Sequence, residues 1–417
     1  MEKSGKFRLT SLERNWILYD VGNSAFVLMV ATLIPIFFNA LAAAGGLSSV
    51  EYLAYWGYAS SAVTVITAVL SPILGTVADT KGFKKPIFIL CVFVGIVGCC
   101  AMGAVSAWLP FLVIFVIAKV GFSGSLVFYD SMLSDVTTPE RMDEVSSRGY
   151  AWGYIGSCVP FVVCLGLVLG AGSIGIGQMT ALNLALLLTA AWWLLTTLPL
   201  LKSYKQLYYV EVEKHAVRQS FARIGHTLRH LPEDKQVFWF LLAFFCYIDG
   251  VYTIIDMATA YGTALGLDTT GLLLALLVTQ IVAFPSALIF GRLSNKYPSA
   301  KLIPVCIAAY AGIAVFAFFL TQQWQFWVLA VIVGMFQGGV QALSRSHFAK
   351  IIPPEKSGEY FGLFDICGKG ASFLGTMIVS VGSQLTGSAN VGVGSLIVLF
   401  IVGFVLFRVS FRQGETV

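Results

Sequence analysis

Long apolar runs alternate with short polar connections along the whole chain. A bilayer core about 30 Å thick is crossed by roughly 20 mostly apolar residues in a helix. The pattern therefore predicts an all-α membrane protein with twelve transmembrane helices. The predicted spans are 15–42, 52–78, 86–105, 109–135, 147–170, 178–200, 236–262, 270–293, 301–321, 325–351, 358–383 and 391–409.

The positive charges follow the same alternation. Of the 26 Lys and Arg residues, 24 lie at the termini, in the even-numbered connections or in the span ends beside them, and only Lys119 and Lys369 lie deeper within spans. Basic connections remain on the cytoplasmic side of a membrane. We therefore expect both termini to be cytoplasmic, and the asymmetry also supports the number of spans.

Composition narrows the class of protein further. Hydrophobic residues make up 58% of the chain and charged residues 11%, whereas about a quarter of a globular domain is charged. The sequence contains no basic tract with interleaved aromatics, which excludes a nucleic-acid partner. The eight cysteines lie inside apolar runs without metal-ligand spacing. We therefore expect no metal and no cofactor, and no catalytic motif stands in a context that would indicate an enzyme.

A long polar connection divides the predicted helices into two groups of six. We expect an N-terminal bundle at 1–200, a cytoplasmic linker at 201–235 and a C-terminal bundle at 236–417. Within the linker, Phe221, Ile224 and Leu228 recur at helical spacing among basic residues. That pattern is typical of a helix on an anionic membrane surface. The alternative is that the linker is only a tether.

The two groups of helices resemble each other weakly in sequence. The loops after spans two and eight align at an offset of 216 residues, and the ends of spans four and ten align at an offset of 215. Such self-similarity indicates a duplication. The matching pairs are Gly75 with Gly291, Asp79 with Asn295, Lys85 with Lys301, Gly124 with Gly339, Ser131 with Ser346, Pro139 with Pro354, and Glu140 with Glu355.

The loop after span two resembles a known signature. Its residues Gly75, Asp79, Gly82 and Lys84 form G-x-x-x-D-x-x-G-x-K, which is similar to the signature loop of the major facilitator superfamily. Three further segments resemble the bacterial "unknown major facilitator" group, which is related to the autophagy-linked vacuolar amino-acid effluxers. These segments are Tyr19-Asp20-x-Gly22-Asn23-Ser24-Ala25-Phe26, Ser146-Ser147-Arg148-Gly149, and Gln341-Ala342-Leu343-Ser344-Arg345-Ser346-His347-Phe348.

The resemblance implies a rocking transporter with a central site between two bundles, in a bacterial inner membrane. We expect it to work as a monomer with a small-molecule substrate. On physical grounds, Asp79 can sit against a positive helix N-terminus while the lysines beyond it face anionic headgroups. The alternative is a solvated turn. The predicted cytoplasmic gate comprises Gly75, Asp79, Gly82, Lys84, Gly291 and Asn295.

Ionisable residues inside predicted spans are candidate functional residues, because burying a charge in a bilayer is costly. The first helix of each half carries one polar stripe at helical spacing. The stripes are Asp20, Asn23 and Ser24 in span one, and Asp249, Thr253 and Asp256 in span seven. Carboxylates outnumber the cations in the spans, so some can exchange protons, or sodium instead. The proton-coupling candidates are Asp249 first, then Asp20, with Asp256.

The remaining polar residues predict a solute site. The planar guanidinium of Arg345 suits a carboxylate, and either it or Lys119 would hold the anionic end of a substrate. Asp365 and Lys369, four residues apart, could instead be a purely structural pair, and Asp130 and His347 could simply lie at the inner membrane–water interface. The predicted substrate-binding residues are Asn23, Lys119, Gln337, Gln341, Arg345, Asp365 and Lys369.

These features together predict a secondary transporter of a small polar or zwitterionic solute, amino-acid-like, exported with proton coupling by alternating access. One alternative is a carrier of a lipid-like or larger amphipathic substrate, which aromatics such as Trp152, Tyr247 and Tyr252 would suit. The other is a receptor on the same fold that transports nothing.

Overall fold

The computed structural model describes residues 7–211, 227 and 229–414. The side chains of a few residues within its helices, including Lys369, lie outside the description. In the described ranges the chain is almost entirely helical, and no strand is formed beyond one isolated bridge between Thr80 and Val210. The predicted surface helix at Phe221 to Leu228 lies outside the described residues.

The N-terminal half of the described chain contains eight helices. They are α1 (Ser11–Ala31), α2 (Leu33–Ala44), α3 (Ser49–Ala78), α4 (Lys84–Met102), α5 (Trp108–Ser131), α6 (Leu133–Val136), α7 (Met142–Leu169) and α8 (Gln178–Ser203).

The C-terminal half contains seven described helices and two short 3-10 turns. The helices are α9 (Lys235–Ala264), α10 (Thr269–Leu293), α11 (Ser299–Phe318), α12 (Gln323–Ile351), α13 (Ser357–Thr386), α14 (Ala389–Gly394) and α15 (Ile397–Gly414). The turns are Leu231–Glu233 and Pro354–Lys356.

Eleven segments of the described chain are long and apolar enough to cross a membrane. The first joins α1 to α2, and the last joins α14 to α15. The predicted eleventh span, 358–383, corresponds to α13, a helix of 30 residues that also carries Glu359 and Asp365. The all-α arrangement predicted from the apolar pattern is therefore confirmed.

The first span is not one straight helix as its sequence pattern suggested. It breaks at Thr32, whose backbone (φ −131°, ψ −77°) leaves the helical region between α1 and α2. Pro35 follows three residues later and has no N–H to donate to Ala31, while its ring would clash with that carbonyl. The proline therefore explains the break.

Packing between the halves involves few helices. Within the N-terminal half α1 packs on α7 and α8, and within the C-terminal half α9 packs on α13 and α15. Between the halves, α3 packs along α13, and α7 packs along α10 and α12. The domain boundaries drawn from the sequence remain predictions.

Candidate functional site

Charged side chains from both halves face a space between them. Asp256 on α9 is exposed, although it lies about 30 Å along its helix from the first residue, Lys235. The ammonium of Lys119, from α5 of the other half, is close enough for its charge to act on Asp256. Since these residues belong to opposite halves and to spans, we interpret the space to which Asp256 is exposed as a chamber between the halves.

Tyr252 on α9 lies near charged groups from several helices around this chamber. The ring lies one helical turn from Asp256, within electrostatic range of charged groups that come from α5, α12 and α13. Asp365 on α13 is half-buried and accepts a hydrogen bond from Ser71 of α3 at 2.7 Å. A hydroxyl of the opposite half is thus a partner of Asp365. The predicted pair of Asp365 with Lys369 falls outside the description, because the Lys369 side chain is not described.

Arg345 lies at the floor of the chamber, about 9 Å from the end of α12. Its side chain is only 2% exposed. Nη1 donates to Asp130 Oδ1 at 2.9 Å, Nε donates to Ser146 Oγ at 2.9 Å, and Nη2 donates to the Ser146 carbonyl at 3.0 Å. The guanidinium also stacks over Tyr150 and Trp16, at 4.3 and 4.7 Å. All these partners belong to the N-terminal half.

Arg345 and Asp130 are equivalent positions in the two halves. The offset of 215 that aligns the ends of spans four and ten also aligns residue 130 with residue 345. The duplicated position thus carries opposite charges in the two copies, and the copies pair with each other. Arg345 is therefore occupied by protein groups rather than left open for a solute. Asp130, for which a position at the membrane–water interface was the alternative, is thus part of a contact between the halves.

Asp20 lies beside this ion pair. Its Oδ2 is 4.0 Å from Arg345 Nη1 and accepts no hydrogen bond from any described residue. Asn23 Nδ2, on the same helix, is also buried and has no partner within the described chain. Two carboxylates therefore share one guanidinium, so that with both ionised the buried cluster carries one negative charge in excess.

Asp249 does not share this environment. Both of its carboxylate oxygens accept the backbone N–H of Gly375 on α13, at 2.9 and 2.8 Å, and Thr253 donates to Oδ1 at 3.3 Å. Asp249 is fully buried within the C-terminal half, whereas Asp256 on the same predicted stripe is exposed. On this stripe, Asp249 therefore contacts a neighbouring helix, whereas Asp256 faces the chamber.

Two predicted substrate-binding glutamines lie on α12 above Arg345. Gln341 accepts a hydrogen bond from Tyr154 of α7 at 2.6 Å, across the interface between the halves. Gln337 is 5% exposed, and its Oε1 has no partner among described residues. Gln337 also lines a mostly apolar, partly open cavity within the C-terminal half, together with Gln280 and Tyr261.

The basic face is the end of the helices that carries the loops 79–84, 137–141 and 351–357, and it is closed by three contacts. The first joins α3 to α13. Asp79 Oδ1 and Oδ2 accept the backbone N–H groups of Gly358 and Glu359 at 2.7 and 2.8 Å. A Cβ on Gly75 would overlap the Gly358 carbonyl, so glycine permits this close approach. The expected contact with a helix N-terminus is present, and its role as a gate remains a proposal.

Lys84 differs from the expectation that it would face lipid headgroups. The side chain is fully buried, with Nζ donating to Ser357 Oγ at 2.8 Å. It also lies 3.5 Å from Asp135 Oδ2 and 3.7 Å from Asp79 Oδ1. Two carboxylates at the end of one helix bundle draw the ammonium inward. Gly82 lies in the turn before it with φ 80°, a backbone that suits glycine.

The second contact is the counterpart of the first in the other half. Asn295 Nδ2 donates to Glu144 Oε2 at 2.9 Å, and a Cβ on Gly291 would press against Ser147 of α7. Asp143, next to Glu144, accepts from Ser346 at 2.6 Å and pairs with Lys350 at 2.6 Å. The third contact is the Arg345 cluster.

Sequence reasoning missed Asp143, Glu144 and Ser146 as partners across the interface. Their segment was noticed only for the motif from Ser146 to Gly149. Among the described residues, no group of three or more His, Cys, Asp or Glu is placed to hold a metal ion.

The sequence and the fold of the chain are similar to those of known proteins. The family described as "Vacuole effluxer Atg22 like" matches residues 11–140 and 134–416. The chain belongs to this family. YxiO of Bacillus subtilis, an MFS-type transporter, is 42% identical over 414 residues, which cover 98% of this chain and 96% of YxiO.

Fungal members of the Atg22-like family are more distant. Autophagy-related protein 22 of Coccidioides immitis is 25% identical over 315 residues, and that of Cryptococcus neoformans is 26% identical over 310 residues. These alignments cover 65% and 69% of this chain but 51% and 55% of the fungal proteins. The chain thus spans about half the length of its fungal relatives.

Solved structures show the same fold at low identity. The human organic anion transporter MFSD10 superimposes with a TM-score of 0.72 at 14% identity, covering 95% of this chain and 98% of MFSD10. FucP in the outward conformation gives 0.72 at 16% identity, covering 96% and 97%. The Atg22-like chain is therefore a multi-pass membrane transporter of the major facilitator type and not an enzyme.

Proposed function

We propose that this transporter carries a small zwitterionic, amino-acid-like solute by alternating access, with proton coupling. The observation that carries the proposal is the pair of opposite charges, Lys119 and Asp256, which the two halves present to one chamber. A zwitterion that bridges them would place its carboxylate on Lys119 and its ammonium on Asp256. Binding would then draw the halves together at the end opposite the basic face.

In this proposal Arg345, predicted from the sequence to bind the substrate, does not bind it. Its donors are taken by Asp130 and Ser146, so Arg345 holds the halves together at the chamber floor instead of receiving the solute. Asn23, Gln337, Gln341 and Asp365 remain candidates for polar contacts to the solute. The apolar cavity beside Gln337 supports the alternative of an amphipathic solute, because such a solute needs an apolar compartment.

Proton coupling is proposed for Asp20 in place of Asp249. Asp20 lies in a buried cluster with one excess negative charge, beside an ion pair that joins the halves. Protonation would neutralise that excess and alter the contact at the same time. Asp249 instead holds a backbone amide within its own half, which suits a packing role. The test below distinguishes coupling to protons from coupling to sodium.

Orientation and direction are also part of the proposal. We propose a bacterial plasma membrane with the basic face in the cytoplasm, since basic connections stay there. The structure would then be open to the outside, as is FucP in its outward conformation. The lumen of a vacuole corresponds topologically to the outside of a cell. The family description, vacuole effluxer, therefore supports carriage towards the basic face rather than the export expected from the sequence.

The test uses purified full-length protein in proteoliposomes. Counterflow of radiolabelled neutral amino acids is measured with and without an imposed pH or sodium gradient. We expect accumulation driven by the pH gradient, and Lys119→Met and Asp256→Asn should each abolish it. Asp20→Asn should retain exchange but lose accumulation. Normal transport by both Lys119→Met and Asp256→Asn would refute the proposed site.

A further inference from the structure

The chain that leaves α8 lies against the basic face. Residues 204–211, called the strap here, start at Tyr204, whose extended backbone (φ −70°, ψ 133°) ends the helix. Val210 N–H donates to the Asp79 carbonyl at 2.8 Å, and the Val210 carbonyl accepts from Lys81 N–H at 3.2 Å. The strap therefore pairs, through its backbone, with the loop that carries Asp79.

Side chains reinforce this pairing. Gln206 Nε2 donates to the Ala78 carbonyl at 3.1 Å, and Gln206 Oε1 accepts from Gly82 N–H at 3.0 Å. One amide thus holds both sides of the turn that separates α3 from α4. Lys81 pairs with Glu211 at the surface, at 3.5 Å. The turn is held by the strap along its whole length.

Asp135 anchors the strap from below. This residue is 3% exposed, on the short helix α6. Its Oδ1 accepts the backbone N–H groups of Leu207 and Tyr208 at 3.0 and 2.9 Å. Its Oδ2 accepts the Tyr204 hydroxyl and faces Lys84 Nζ at 3.5 Å. Three of these four partners belong to the strap.

The same network reaches the opposite half. Lys84, fully buried, bridges Asp135 and Asp79 and donates to Ser357 of α13. A buried charge is stable only when its partners are in place. Without the strap, Asp135 would lose three of its four partners. The placement of Lys84 between the halves therefore depends on a segment that belongs to no transmembrane helix.

We propose that the strap is a positioning element of the transport cycle. Docked on the turn 78–84, it holds Asp79 and Lys84 against the N-terminus of α13 and stabilises the state with a closed basic face. Asp135 is the positioning residue that anchors it. The inference rests on the proposed alternating access, but it does not depend on the identity of the solute.

The test measures the opening of the basic face directly. Lys85 and Glu355, one from each half, are replaced by spin-labelled cysteines in full-length protein whose eight native cysteines have been replaced, and distances are measured by pulsed electron resonance. Val210→Pro removes the N–H that binds Asp79. Lys205→Pro is the matched control: Lys205 is exposed, its N–H makes no hydrogen bond within the described chain, and Tyr204 already has the backbone that precedes proline.

We expect Val210→Pro to raise the ratio of long to short distances at least fivefold, with Lys205→Pro within twofold of the parent. If Val210→Pro does not fold, Gln206→Ala removes both side-chain bonds and should give a shift in the same direction. Asp79→Asn serves as the positive control. A shift by Asp79→Asn without any shift by the strap variants would overturn the strap proposal alone. If no variant, including Asp79→Asn, lengthens the distance, both the strap proposal and the proposed gate at Asp79 are refuted.

Discussion

Replacing Asp130 by Asn tests whether the Arg345 cluster holds the halves together. Asn keeps the shape of Asp and can still accept one hydrogen bond from Nη1, which lies 2.9 Å from Oδ1. The negative charge is lost. The ion pair connects α5 to α12 only while the basic face is closed, so its loss should favour the open state.

The loss of stability of the closed state can be worked out from the hydrogen bond between Asp130 and Arg345. A hydrogen bond to a charged group contributes about 1.5–3 kcal/mol, and Asn retains part of that value as a neutral bond of about 1 kcal/mol. The expected loss is therefore about 0.5–2 kcal/mol. Since about 1.4 kcal/mol corresponds to a factor of ten, the closed-to-open ratio should fall about 2- to 30-fold.

The assay is the spin-label distance between positions 85 and 355. Because residues 130 and 345 are equivalent in the two halves, the exchange Asp130→Arg with Arg345→Asp re-creates the pair in reverse. We expect each single substitution to open the basic face and the exchange to restore part of the closed population. Unchanged distances in Asp130→Asn, with the protein folded, would refute the reasoning.

Three further predictions concern other contacts. Gly75→Val should separate α3 from α13, because even a Cβ there overlaps the Gly358 carbonyl, and spin-label distances at the basic face should lengthen. Asp249→Asn should lower the midpoint of thermal unfolding while accumulation driven by a pH gradient persists; loss of accumulation with unchanged stability would return Asp249 to the coupling role. Glu13→Gln should cost about 1–3 kcal/mol of stability, because buried Glu13 pairs with Arg141 at 2.7 Å, and an unchanged unfolding midpoint would contradict this.

Much of the fold could be predicted from the apolar pattern, because a bilayer requires a span of fixed length whatever its neighbours are. The break at Thr32 was also accessible in principle, since Pro35 lies within the predicted first span. The docking of the strap, residues 204–211, was not. It depends on Asp135 and on the turn after α3, which are distant from the strap in sequence and follow no periodic pattern.

The candidate site was predicted less completely. Spacing placed Asp249 and Asp256 on one helical stripe, but spacing cannot show that a backbone amide at Gly375 satisfies the first and that the second is exposed. Likewise, the chemistry of Arg345 suits any carboxylate. The sequence could not distinguish a solute from Asp130, although the repeat offset of 215 already related the two positions.

The most direct test of the central claim is the accessibility of a cysteine at position 256 to a membrane-impermeant thiol reagent, added from either side of oriented vesicles. The account predicts rapid labelling from the side opposite the basic face, and labelling from the basic side only when Asp79→Asn weakens the first contact. Labelling solely by lipid-soluble reagents, or equal labelling from both sides in the unaltered background, would contradict a water-accessible chamber closed at the basic face.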